Sequence, residues 1–123
     1  MKKIEVIIPP GDASAVAQAL AVEGVSGMTI GEVRGWGVGQ RRDADLPRPA
    51  KVQLGAKLKV EIVVPAGEAD AVMERLSDAL RTSGLGPAKM FAFSVDAALH
   101  TRSGARDHEA LAWRFEAGSW GDR

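Results

Sequence analysis

Residues 60–76 read VEIVVPAGEADAVMERL, and residues 4–20 read IEVIIPPGDASAVAQAL. The two stretches align without a gap at an offset of 56, and seven of the 17 positions are identical: Glu5/Glu61, Pro9/Pro65, Gly11/Gly67, Ala13/Ala69, Ala15/Ala71, Val16/Val72 and Leu20/Leu76. Apolar patterns of this length often coincide, but proline and glycine kept in register mark two copies of one supersecondary unit.

Each copy begins with a β-branched run and is stopped by proline and glycine. In the first, residues 4–8 form a strand, Asp12 is placed to cap a helix, and Ala13, Val16, Ala17 and Leu20 recur on one helical face as far as Val22. Gly24 and Gly27 end that helix, and residues 28–33 start a second strand that leads to Gly35, Trp36 and Gly37. The second copy repeats the order with a strand over 57–64, a helix over 68–80 and a strand over 90–95. Two βαβ units, each too small to cover its own sheet, predict an α+β domain of ferredoxin-like type: one four-stranded antiparallel sheet with both helices on one face. The other face is left bare. Ile7 and Val63 put apolar residues on it, so a second cover is expected, most simply from further copies of the chain. The competing expectation is that the tail after Leu111 folds back over the sheet.

At 123 residues the chain has the size of one globular domain. Sixteen Lys and Arg balance sixteen Asp and Glu, so no global field steers it onto nucleic acid or anionic membrane. It has no cysteine, which excludes disulfides and thiolate metal sites and, with no secretory signal after Met1, predicts a cytoplasmic protein. His100 and His108, eight apart, do not form a metal-ligand cluster. An RNA-binding module of the same fold would carry aromatic platforms on its central strands, where this chain has Val, Ile and Leu. No Ser-His-Asp or paired-carboxylate arrangement supports an enzyme, and the matched Glu5 and Glu61 read as structural; slow nucleotide hydrolysis is the one activity left open. Fourteen glycines point instead to ligand contact through backbone.

Three connectors stand out. Residues 38–56, VGQRRDADLPRPAKVQLGA, lack periodicity, and Arg41, Arg42, Arg48 and Lys51 outnumber Asp43 and Asp45; such a connection in a compact domain is usually functional. Residues 82–89, TSGLGPAK, set glycines beside a lysine ahead of the fourth strand, which suits backbone N–H contacts to phosphate. Residues 100–106, HTRSGAR, add two arginines and hydroxyls.

In this order, MKKIEVIIPP, GVSGMTIGEVRGWG, KLKVEIVVP, RTSGLGPAKMFAFSV and HTRSGAR resemble the PII family of signal-transduction proteins over residues 1 to about 110. The resemblance implies a homotrimer of ferredoxin-like subunits that binds adenine nucleotides (ADP, AMP or ATP, the last with Mg2+) in the clefts between subunits. It also implies that a long T-loop, here 38–56, docks on a membrane transporter, a metabolic enzyme or a regulator. The domain then spans 1–112, followed by a C-terminal extension, 113–123. By the same resemblance Thr29 lies near the adenine, Gly35, Gly37 and Val38 at the base of the T-loop, and Val64 at the end of the third strand. Gly86, Pro87, Ala88 and Lys89 form the phosphate loop. His100 and Arg102 reach the neighbouring cleft, and Lys57 with Gln40 and Arg41 would hold a small anion such as bicarbonate or 2-oxoglutarate.

The departures from the family pattern all weaken the hold on phosphate. Pro87-Ala88 replaces Asp-Gly and removes an N–H donor, Val38 replaces an arginine, and His100, whose ordinary pKa leaves it largely neutral at pH 7, replaces another. ADP or AMP is therefore favoured over Mg-ATP, and 2-oxoglutarate sensing is in question. Tyrosine is absent from the chain and no Ser or Thr occurs in 38–56, so covalent switching of that loop by nucleotidylation or phosphorylation is excluded. The alternative is a non-sensing trimeric scaffold with a degenerate nucleotide site. Trp36 is expected to pack at the loop base, and Trp113 and Trp120 belong to the extension, which either packs locally, covers the cleft or meets a partner.

Overall fold

The computed structural model describes residues 1–36 and 54–112. The long connector up to residue 53 and the extension from 113 lie outside the described residues, and with them Gly37, Val38, Gln40 and Arg41.

The duplication is realised to the residue. Strand β1 (Lys2–Ile8) runs through Pro9 into a 3-10 turn (Pro10–Asp12) and helix α1 (Ala13–Val22). Strand β3 (Gly55–Val64) runs through Pro65 into the matching turn (Ala66–Glu68) and helix α2 (Ala69–Ser83). Both strands end, both turns form and both helices start at the offset of 56 read from the sequence, because each proline stops the ladder and presets the turn that follows. The copies close with β2 (Thr29–Gly35) and β4 (Met90–Ser94), and a short helix α3 (His108–Ala112) comes last. The sheet order is β2-β3-β1-β4, antiparallel throughout, with Glu5 facing Glu61 across the central pair. These two residues hold the same place in the two copies, so the pseudo-twofold axis passes between them.

One face of the sheet is the core. Ile4, Val6, Ile8, Val60, Ile62 and Val64 point to the helices and meet Val16 and Leu20 of α1 and Val72, Leu76 and Leu80 of α2, all buried. At ~25 cal/mol per Å2 each fully buried aliphatic side chain contributes about 1.5–3 kcal/mol, so this interdigitated layer holds the helices to the sheet. Arg75 donates to Glu23 at 2.8 Å and ties the helices together at the surface.

The opposite face is open and differs from a plain apolar sheet. At its centre Lys3 Nζ lies 3.0 Å from Glu61 and 3.7 Å from Glu5, while Lys59 Nζ lies 3.1 Å from Glu5 and 3.7 Å from Glu61. This closed ring neutralises the two glutamates that the dyad sets side by side, a like-charge pair that would otherwise weaken the ladder. Ile7, Phe91 and Phe93 flank it, each about half exposed, and Lys3 sits 5.5 Å from the Phe93 ring. The glutamates are thus structural, as expected, but the apolar residues form a flank rather than the centre.

Several boundaries move. β2 extends to Gly35 and β3 starts at Gly55, because Arg34 and Gly35 find partners in Ala56 and Gly55; the last two residues assigned to the connector are strand. Helix α2 runs on to Ser83 and stops at Gly84, whose backbone is left-handed (φ 66°). In α1 the third buried residue is Ala19, and Ala13 and Ala17 are only half-buried. Asp12 holds the N-cap position of α1 but makes no side-chain capping bond; its side chain turns inward and is buried.

Candidate functional site

The connector entering β4 is built on backbone. After Gly84, the chain passes through Gly86 at φ 136°, a conformation that side-chain-bearing residues rarely adopt. Pro87 is exposed, Ala88 packs on the core and Lys89 is exposed just before β4 begins opposite Val6. The loop rests on the turn before α1: a Cβ on Gly11 would come within 2.9 Å of Leu85 Cδ1. Under this seat lies Asp12, 1% exposed, and neither of its carboxylate oxygens finds a hydrogen-bond partner among the described residues. On the helix side Arg81, Gly86 and Met90 line an open depression of about 350 Å3. Sequence reading did not bring the turn at Gly11 and Asp12 against Leu85 of this loop, a contact between distant parts of the chain that no local pattern signals.

Gly35 and Lys57 share this end of the sheet. Lys57 faces Val33 across the β2-β3 ladder, and its stem passes 3.7 Å from the position of a Cβ on Gly35. Gly35, Lys57 and the loop 86–89 therefore lie toward the same end of the sheet, Gly35 on the β2 edge, Lys57 on β3 and the loop on the β4 edge.

The remaining predicted residues lie elsewhere: Thr29 level with the central Glu5–Glu61 pair, Val64 at the far end of β3, and His100 and Arg102 in the turn after β4. Thr29 opens β2 opposite Glu61 and is exposed, and Val64 closes β3 opposite Lys2. Val64 is only 3% exposed, so any contact it makes with a ligand is through its backbone. His100 and Arg102 sit in a turn closed by the Leu99–Arg106 bridge, with His100 N–H donating to Ala105 at 2.8 Å and Gly104 N–H to His100 at 2.8 Å. The Ser103 N–H donates to His100 Nδ1 at 3.2 Å, so a neutral ring carries its proton on Nε2. Val95 N–H donates to Met1 at 3.0 Å, which fixes this end of β4 beside the start of β1.

The two groups are far apart. Thr29 and Gly35 pair with Glu61 and Gly55, six residues apart on β3, which is roughly 20 Å at ~3.3 Å per residue. Strands β2 and β4 are opposite edges, roughly 14 Å apart across three strand spacings. Within one chain the positions named by the resemblance are therefore divided between separate parts of the sheet.

Comparison with known proteins gives this arrangement its family. The model of the family described as nitrogen regulatory protein P-II matches residues 1–105. The nitrogen regulatory protein P-II of Synechocystis sp. is 41% identical over 113 residues, 90% of this chain and all of that protein. The P-II 1 protein of Escherichia coli K12 and the P-II protein of Haemophilus influenzae are each 37% identical over the same shares. Among solved structures, Arabidopsis thaliana PII bound to citrate superposes with a TM-score of 0.71 at 30% identity, covering 89% of this chain and 90% of that one. A trimeric assembly is consistent with these relationships. The chain belongs to the nitrogen regulatory P-II family of signal-transduction proteins.

Proposed function

We propose that this protein regulates a partner by binding an adenine nucleotide between two copies of itself, within a homotrimer. The observation that carries the reading is the division of the predicted positions over the sheet. A nucleotide set against Gly35, Gly86 and Lys89 of one copy is completed by Thr29, the Val64 backbone, His100 and Arg102 of the next. The N–H groups of 86 and 88, with Lys89, take the phosphates; Pro87 offers none, and this favours ADP or AMP over Mg-ATP. Any Mg2+ would arrive with the phosphates of ATP. Residues 38–56, with Gln40 and Arg41, then form the T-loop that meets a transporter, a metabolic enzyme or a regulator, and the ligand acts by binding its alternative states unequally.

Lys57, beside Gly35, supports a small carboxylate or bicarbonate as co-ligand, and citrate on the Arabidopsis relative is an anion of that class. The role is regulatory rather than enzymatic, and the location is cytoplasmic. No helix among the described residues is long and apolar enough to cross a membrane.

The test is calorimetry with ADP on the parent and on Lys89→Ala. Removal of a charge-assisted contact costs about 1.5–3 kcal/mol, roughly tenfold or more in affinity. Equal binding by the two would remove the phosphate-loop assignment, and no binding of AMP, ADP or ATP by the parent would favour the scaffold.

A further inference from the structure

Helix α2 and the entry to β4 border an open depression of about 350 Å3 on the helix side of the sheet, within the size range of small-molecule sites. Its floor is apolar. Leu80 is buried, and Ala88 and Met90 pack on the core; Met90 faces the helices because it pairs with the buried Val6. Its wall carries one cation. Arg81 Nη2 donates to Ser77 Oγ at 3.0 Å, and since Ser77 lines the depression as well, that bond holds the guanidinium at the wall instead of out in solvent. The other contact of the guanidinium is Asp78, 3.4 Å from Nη1, in a pair whose side chains are 74% and 72% exposed, so water screens it to little. Asp78 lies outside the depression, and among the described residues no acidic one lines it. Thr29 and Gly35, by contrast, pair with Glu61 and Gly55 and share the open face with them, so the depression is separate from the nucleotide cleft proposed above.

We propose that this depression binds a small monocarboxylate with an apolar body, its carboxylate on Arg81 and its body on Leu80, Ala88 and Met90. A guanidinium presents parallel N–H groups that match a carboxylate, and beside an apolar floor that pairing is stronger than the screened contact with Asp78 that it replaces. An apolar acid uses both features at once. Acetate has no body for the floor, and a neutral amide of the same shape has no charge for Arg81. A dicarboxylate would set its second charge on the floor, where no cation answers it.

The site also touches the loop before β4. Gly86 and Pro87 line the depression together with Ala88, and these three belong to the loop given above to the phosphates. An occupant therefore braces that loop from behind. A loop ordered in advance loses less freedom when the nucleotide arrives, so ADP binds more tightly, and by linkage ADP tightens the acid by the same factor. This coupling rests on the nucleotide reading above, whereas the site does not.

Two measurements on the full chain separate these claims. Phenylacetate is titrated in while NMR follows the backbone amides and the methionine methyl groups. It should shift the Gly86 and Ala88 amides and the Met90 methyl saturably, with acetate and phenylacetamide each binding about tenfold more weakly or worse. Arg81→Gln should weaken phenylacetate about tenfold, and Arg81→Lys, which keeps the charge without the planar fork, should fall between. Arg81 is exposed, and the unshifted remainder of the spectrum checks that each variant is folded. The absence of a saturable shift, shifts confined to other parts of the chain, or equal binding by Arg81→Gln or of phenylacetamide overturns the site. For the coupling, calorimetry with ADP is run with and without saturating phenylacetate, and the affinity should be severalfold higher with the acid present. Equal affinities overturn the coupling and leave the site and the nucleotide reading intact. A parent that binds no nucleotide overturns that reading and the coupling together, while the titration still decides the site.

Discussion

Two residues under and within the loop before β4 have opposite consequences when changed to alanine. Gly86 holds φ 136° with open space around it, so a methyl group meets no neighbour and the strain is purely that of the backbone, roughly 1–3 kcal/mol. An exposed loop relieves such strain by moving. Gly86→Ala should therefore leave the melting temperature nearly unchanged and weaken ADP binding about tenfold in calorimetry, since the N–H groups no longer point as before. Asp12 is the reverse case. Its carboxylate sits at the positive end of α1, which is worth about 0.3–1 kcal/mol, but burial without a hydrogen bond costs more, about 1–3 kcal/mol for a polar group by mutational measures. Asp12→Ala is thus expected to raise the melting temperature in scanning calorimetry; a fall of several degrees would mean that the carboxylate is paired in solution. The sequence suggested a capping aspartate because Asp before an apolar helical stripe usually caps, and the offset copy has Glu68 at the same place. What decided otherwise was the packing of the 3-10 turn Pro10–Asp12 against β3 and of its Gly11 against Leu85, which no local pattern encodes.

Strands and helices were legible wherever the two copies agree and less so where they diverge. Proline and glycine in register fixed the ends of β1 and β3 and the starts of α1 and α2, because those residues act through their own backbones. The far ends of β2 and β3 depend on each other: Arg34 and Gly35 are strand only because Ala56 and Gly55 pair with them, and neither segment shows a period of its own. The central pair carries the charge ring, and its acid-base behaviour follows from the contacts. The hydrogen bond from Lys3 is the main cause that holds the Glu61 carboxyl below its ordinary range, and the hydrogen bond to Glu5 is the main cause that raises Lys59 above its own. A depressed carboxylate adds stability that is present above its unfolded pKa and lost as pH falls through the folded value; a raised lysine adds stability that is present below its unfolded pKa and lost as pH rises through the folded value. Both contributions are complete across neutral pH. Urea titrations over a wide pH range should show Glu61→Gln flattening the acid limb and Lys59→Met flattening the alkaline limb, each leaving the other limb in place. Identical slopes for parent and variants would mean that the exposed ring is screened to nothing.

At the scale of the whole molecule, the residues that the family resemblance assigns to one ligand were legible one by one, but their separation was not. Sequence order sets Thr29 six residues from Gly35, and the ladder sets them roughly 20 Å apart, Thr29 opposite Glu61 and Gly35 opposite Gly55, with the loop before β4 on the other edge. Spacing along a chain carries no information on strand direction until the ladder is known. On the nucleotide reading proposed above, ligand binding is conditional on assembly. The open face offers Ile7, Phe91 and Phe93, each about half exposed, beside a charge ring that already neutralises itself, so a covering copy needs to bring apolar surface and no counter-charge. Phe91→Asp with Phe93→Asp would force carboxylates into that contact while leaving the helix-side core untouched, since both rings point away from it. The expected outcome is a folded monomer in sedimentation and circular dichroism. It should not bind ADP measurably, although it keeps Thr29, Gly35, Gly86, Lys89, His100 and Arg102. A monomer that binds ADP as the parent does would mean that one copy holds the nucleotide alone, and the intersubunit cleft would have to be abandoned even with the fold intact.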